Sequence, residues 1–181
     1  MKWVKRILLG LLALIAILVV IGFFLPSSYH VERSVTIKGK PANVFPFVNG
    51  LKAWNYWSAW SPMQDPKKYG DMKQEYSTPD SGKGATMSWS GKEAGNGKFT
   101  ITDSDPEKGI SYDLDFEKGQ YLSNGVIRFE PAGDSVKVTW TNEGKLGMNP
   151  IGRYFGLLMD RFMGPDFETG LANLKKRVET P

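Results

Sequence analysis

The sequence predicts an α+β fold. An antiparallel sheet of about seven strands wraps around a long carboxy-terminal helix, with two short helices after the first strand and one transmembrane helix ahead of them. Three observations carry this. Ile7–Leu25 is an unbroken run of 19 residues without a charge. Between Tyr29 and Thr141, short segments alternate apolar and polar residues at the period of half-solvated strands, with turn residues between them. From Pro150 to Val178 the period becomes that of a helix with one apolar stripe.

The first run is long enough to cross a hydrocarbon core of about 30 Å as a helix. A cleavable signal peptide is the competing reading. Its apolar region is shorter and ends at a small-x-small site, which Phe23-Phe24-Leu25-Pro26-Ser27-Ser28 does not supply well. The run therefore reads as an uncleaved anchor. Lys2, Lys5 and Arg6 crowd its amino-terminal side, and only Arg33 appears beyond it before Lys38. The positive-inside tendency keeps the amino terminus cytoplasmic and sends the domain across. The expected organisation is a basic flank at 1–6, the anchor at 7–25, a tether at 26–30 and a domain at 31–181.

Those three basic residues also supply most of the formal net charge of +4. Every acidic residue follows Leu25, which leaves the exported part with 20 basic and 19 acidic residues. No basic stripe remains for nucleic acid, and that partner class drops out. The chain has no cysteine, which excludes a disulfide framework, a thiol nucleophile and cysteine-ligated metal.

The domain opens with a strand over 29–38, in which Val31, Val35 and Ile37 alternate with Glu32, Ser34 and Thr36. Lys40-Pro41-Ala42-Asn43 starts a short helix carrying Val44, Phe45 and Val48, and Trp54, Trp57 and Trp60 follow at helical spacing. Strands are then expected over 73–77, 84–90, 97–102, 109–117, 125–130 and 135–141, the last two joined as a hairpin through Pro131-Ala132-Gly133-Asp134. Nearly all are apolar on one side only, so the sheet keeps one wet face. Its dry face and the terminal helix are the only sizeable apolar surfaces left to cover each other. On that helix Ile151, Phe155, Leu158, Met159 and Phe162 form one stripe, with Arg153 and Asp160 opposite. Phe167, Leu171, Leu174 and Val178 continue the stripe after a break expected at Gly164-Pro165.

Several of these stretches resemble one superfamily in order. Val35-Thr36-Ile37 followed by Lys40-Pro41-Ala42-Asn43-Val44-Phe45 is similar to its first strand and helix start. Trp54-Asn55-Tyr56-Trp57-Ser58-Ala59-Trp60-Ser61-Pro62 and Gly84-Ala85-Thr86-Met87-Ser88-Trp89 resemble stretches of its bacterial membrane-anchored members, and Gly170-Leu171-Ala172-Asn173-Leu174-Lys175 resembles its terminal helix. The superfamily is SRPBCC, or START-like, which includes lipid-transfer domains and polyketide cyclase/dehydrase-like proteins. The resemblance spans Val31 to Val178. It implies the helix-grip fold, an apolar ligand held between sheet and terminal helix, and a single-pass protein of a bacterial cytoplasmic membrane with its domain on the periplasmic side. Function transferred by fold is analogy.

The inward strand residues Met87, Trp89, Tyr112, Leu114, Phe116 and Trp140, with Phe155, Met159, Phe162 and Met163 of the helix, serve equally as packed core or as the lining of a cavity. The cavity is what the resemblance implies. Trp57 and Trp60 join them as a lip, insert into the bilayer interface, or close one end of the sheet as core aromatics. Candidate chemistry is thin. The one histidine, His30, sits at a strand start and reads as solvated; Asp160 and Arg161 read as solvated charge; Asp103, Asp105 and Glu107 lack the glycine and distal glutamate of a calcium loop. No nucleophile elbow, phosphate loop or metal-ligand set is present in the sequence, so no catalytic residue, metal or cofactor is assigned. The expected function is membrane-anchored binding of a lipid or other hydrophobic small molecule. A cyclase/dehydrase-type enzyme using Tyr112 and an envelope protein-interaction module are the alternatives.

Overall fold

The computed structural model describes residues 2–180. Helix α1 (Lys2–Phe24) leads directly into strand β1 (Ser28–Lys38). Helix α2 (Pro41–Asn49), a 3-10 segment (Leu51–Tyr56) and a four-residue helix α3 (Pro66–Tyr69) come next. Six strands then follow in succession: β2 (Lys73–Tyr76), β3 (Thr86–Gly91), β4 (Gly95–Asp105), β5 (Gly109–Phe116), β6 (Tyr121–Ala132) and β7 (Ser135–Lys145). Helices α4 (Pro150–Gly156) and α5 (Met159–Glu179) end the chain. The seven strands form one antiparallel sheet in the order β1-β7-β6-β5-β4-β3-β2. This is the predicted α+β arrangement.

Local chemistry accounts for the elements. Pro41 occupies the first turn of α2, where its missing N–H costs nothing, and Asn43 Oδ1 accepts from Lys40 N at 2.9 Å. Asn149 caps α4 by accepting from Ile151 N and Gly152 N. α5 lays Phe167, Leu171 and Leu174, all buried, over β1 and β7, where Val31, Ile37, Val136 and Val138 are fully buried. Each such aromatic or branched side chain contributes about 1.5–3 kcal/mol on burial.

Two expectations are corrected. The break in the terminal helix falls at Leu157–Leu158, and α5 runs through Pro165 without interruption. Gly164 is buried, with the Arg33 guanidinium close against it. The half of the stripe after Gly164 faces the sheet, and before it only Met159 packs against the core. Ile151, Phe155, Leu158 and Phe162 are 42–61% exposed, because α4 turns away from the sheet and packs on α1. Three residues separate α1 from β1, which begins at Ser28. Asp160 is exposed, as read from the sequence, and pairs with Arg33 at 2.7 Å, while Glu168 takes the Arg33 Nε at 2.7 Å. Arg33 occupies an inward register position opposite Trp140, so a cation on the dry face is met by two carboxylates of α5.

Candidate ligand-binding cavity

The tryptophan-rich loop after α2 is built into the fold by its indole nitrogens. Trp54 Nε1 donates to Val48 O at 2.8 Å and Trp57 Nε1 to Phe47 O at 2.9 Å, which ties both rings to the end of α2. Their centroids lie 4.5 Å apart, and each meets Trp140 edge-on, at 5.6 and 5.2 Å. Trp140 in turn stacks on Phe167 of α5, 4.0 Å between centroids and 9° from parallel. This aromatic wedge, geometry that adds about 0.5–1.5 kcal/mol per pair beyond burial, fills the space between the sheet and α5. There the interior is solid.

The cavity lies to one side of it. About 250 Å³ opens between the loop and the dry faces of β3, β4 and β5. Trp54, Asn55, Ser58, Trp60 and Ser61 form one wall and Tyr69, Met72 and Gln74 a second. Met87, Trp89, Phe99, Tyr112, Leu114, Phe116 and Trp140 form the floor, and Glu93 and Ala94 the rim. Seven of the twelve residues singled out from the sequence meet here: Trp60, Met87, Trp89, Tyr112, Leu114, Phe116 and Trp140. The other five do not. Trp57 is fully buried behind Trp54 and Trp140; Met159 and Met163 pack against the edge of the core; Phe155 and Phe162 are exposed. No residue of α4 or α5 lines the cavity, so its expected position beneath the terminal helix is corrected. A second depression, bounded by Tyr56, Gln64, Asn173, Lys176, Arg177 and Thr180, is polar and open at the surface.

Polar groups at the cavity are already partnered. Tyr112 Oη accepts from Trp140 Nε1 at 2.7 Å and donates to Thr141 O at 3.3 Å; burial raises its pKa above the ordinary tyrosine value, so it stays protonated. Asn55 Nδ2 donates to Tyr76 Oη at 2.7 Å, and that hydroxyl donates to Gln74 Oε1 at 2.9 Å. Ser61 Oγ donates to Asn55 O at 2.8 Å. Trp60 Nε1 reaches Asp166 Oδ2 at 2.6 Å, which fixes the lip to α5. Glu93, the one carboxylate among the lining residues, is exposed at the rim. Asn55, Ser58 and Ser61 escaped the sequence reading, although they repeat the three-residue spacing of the tryptophans. His30 is half exposed and bonded to Glu143 at 2.7 Å, and Asp105 accepts from Glu107 N and Lys108 N in a turn.

The strand register also locates the rim. Gly91 pairs with Gly95, Gly97 with Phe116, Phe116 with Tyr121, Ser123 with Gly144, and Ser28 with Lys145. The Trp89–Ala94–Phe116 end of the cavity therefore sits at the end of the sheet where α1 joins.

Residues 28–179 match the family model described as polyketide cyclase/dehydrase and lipid transport. Among solved structures, the chain is similar to truncated norcoclaurine synthase from Thalictrum flavum, with a TM-score of 0.60 at 14% identity over 85% of this chain and 95% of that one. It is similar to XoxI from Bacillus cereus, with a TM-score of 0.55 at 12% identity over 84% and 96%. Ara h 8.0201 gives a TM-score of 0.53 at 13% identity over 85% and 99%. At these identities the likeness shows the fold alone. No curated protein matches the sequence.

Proposed function

The chain belongs to the polyketide cyclase/dehydrase and lipid transport family, and we propose that it is a membrane-anchored, non-catalytic member that binds one small apolar group beneath its tryptophan loop. The supporting observation is the cavity itself: about 250 Å³ with aromatic and methionine walls, in which the buried polar groups already have partners. An apolar cavity of about 150 Å³ takes up benzene, and ligand pockets begin near about 300 Å³. The volume here suits the end of an acyl chain or a fused pair of aromatic rings, while a whole lipid would leave most of its length outside. Two methionines, Met72 and Met87, let the walls adapt to either shape.

Catalysis of the cyclase/dehydrase type needs a polar group free to accept or donate a proton to the ligand. Tyr112, the residue best placed for it, is engaged on both lone-pair and proton sides. That favours binding over turnover. α1 supplies the anchor in this reading: 23 residues make a helix of about 34 Å, with Lys2, Lys5 and Arg6 on the cytoplasmic side and the domain beyond the membrane.

Native mass spectrometry of the full chain released from nanodiscs tests this. The protein is expected to carry an apolar adduct that disappears in Leu114→Trp, where the larger ring occupies the floor. A bare chain, or an adduct indifferent to that substitution, contradicts the proposal.

A further inference from the structure

One apolar face lies outside both the core and the cavity. Ile151, Phe155, Leu158 and Phe162 recur at helical spacing across α4 and the start of α5, 42–61% exposed, with Met148 beside them at 73%. Contiguous apolar exposure of this kind marks a surface meant to be covered. What covers it follows from how α4 is held.

α4 is fastened to the carboxy-terminal end of α1. Tyr154 Oη donates to Leu18 O at 2.7 Å. A Cβ on Gly22 would lie 2.7 Å from Pro150 O, so the glycine permits the two helices to touch. Arg153, only 8% exposed, donates through Nη1 to Phe23 O at 2.6 Å and Leu25 O at 3.1 Å, and through Nε and Nη2 to Gly147 O. The last carbonyls of a helix lack internal partners and carry partial negative charge, and a cation satisfies both needs. α4 thus runs antiparallel to α1, from Gly22 back to Leu18, a descent of about 6 Å along the helix axis. Leu18 lies inside the apolar run 7–25, about 10 Å short of its end. Any bilayer that surrounds α1 to Leu25 also surrounds α4.

We propose that α4 and the first turn of α5 are a second membrane element, lying in the leaflet on the domain's side with Ile151, Phe155, Leu158 and Phe162 against acyl chains. Apolar faces of interfacial helices sit at about this depth, 5–10 Å into the boundary. This rests on the reading of α1 as an anchor and goes beyond it, because two contacts orient the domain where a single tether would let it turn. The end of the sheet holding Ser28 and Lys145 then faces the bilayer. So do the exposed Tyr121 and Leu122 and the Trp89–Ala94–Phe116 rim of the cavity, which opens toward the lipid surface.

The chain has no cysteine, so single cysteines report cleanly. Ile15→Cys, Phe155→Cys, Phe162→Cys and, in the distal β6–β7 turn, Asp134→Cys are labelled with an environment-sensitive fluorophore. Each full chain is reconstituted in phosphatidylethanolamine/phosphatidylglycerol vesicles. Labels at 15, 155 and 162 are expected to be quenched several-fold more by doxyl lipids than by aqueous iodide, and the label at 134 the reverse. Lipid quenching at 15 with iodide quenching at 155 and 162 overturns the proposal and leaves the anchor standing. Lipid quenching at none of them removes both. Shielding of 155 and 162 from both quenchers means that a second copy covers the face, which also overturns it.

Discussion

Replacing Tyr112 with Phe removes one oxygen from a residue 2% exposed and strands Trp140 Nε1, whose residue is 1% exposed, without its 2.7 Å acceptor. An orphaned buried donor costs about 1–3 kcal/mol. For a chain of this length each kcal/mol moves Tm by about 2–4 °C, so Tyr112→Phe should lower it by about 2–12 °C. Trp140→Phe alone loses the same bond along with ring contacts. In that background Tyr112→Phe should cost less, because no indole N–H is orphaned and only the longer bond to Thr141 O is lost, giving a coupling of about 1 kcal/mol or more in a double-mutant cycle. The assay is denaturation of the four proteins in nanodiscs, followed by circular dichroism. There is a pH signature too. Burial raises the Tyr112 pKa, so its contribution is complete below the unfolded value near ~10 and is lost as pH rises beyond it. Tyr112→Phe should flatten that alkaline loss, with the remainder coming from Tyr29 and Tyr76, whose pKa values are also raised chiefly by burial. Additivity within about 0.5 kcal/mol would show that the hydroxyl is free inside the cavity. The case against Tyr112 chemistry would then fail.

Three further outcomes are expected. Phe167→Ala removes the ring stacked on Trp140 at a fully buried position and should cost about 3–5 kcal/mol in chemical denaturation. Asp160 is held below the ordinary carboxylate pKa by its hydrogen bonds to Arg33, so its contribution is present above about pH 4 and lost as pH falls through the lowered value. Asp160→Asn should abolish that part of the acid dependence in a Tm-against-pH series. Trp60→Phe, which breaks the bond to Asp166, should loosen the lip and speed ligand release measured by stopped-flow fluorescence, while leaving Tm within a few degrees.

The sheet was legible because Tyr112, Leu114 and Phe116 alternate with charged residues and record which face is dry. β7 was read as ending at Thr141, four residues early. Its inward positions continue as Asn142 and Gly144, and a buried amide bonded by Tyr29 Oη at 3.0 Å breaks the apolar pattern that marks a strand. Arg33 was missed as an inward residue because a charge breaks the same pattern, and its partners Asp160 and Glu168 lie more than 120 positions away. The terminal stripe misled because periodicity reports that a helix has an apolar face and is silent about what faces it. Phe167 meets the sheet, whereas Phe155, on the same kind of stripe, is exposed on α4. The cavity floor was half legible, since Met87, Trp89 and Tyr112 lie on alternating strands. Its walls come from Asn55, Ser58, Tyr69 and Met72, and only the fold of the irregular stretch 51–72 brings those to the sheet.

The methionines allow the central claim to be tested by position. Met72 and Met87 line the cavity, whereas Met159 and Met163 lie on α5 at the edge of the core. In the full chain carrying 13C-methyl methionine, reconstituted in nanodiscs and titrated with naphthalene, the account predicts saturable shifts of the Met72 and Met87 methyl resonances with Met159 and Met163 unmoved. Saturable shifts at Met159 and Met163, or none at Met72 and Met87, would contradict it.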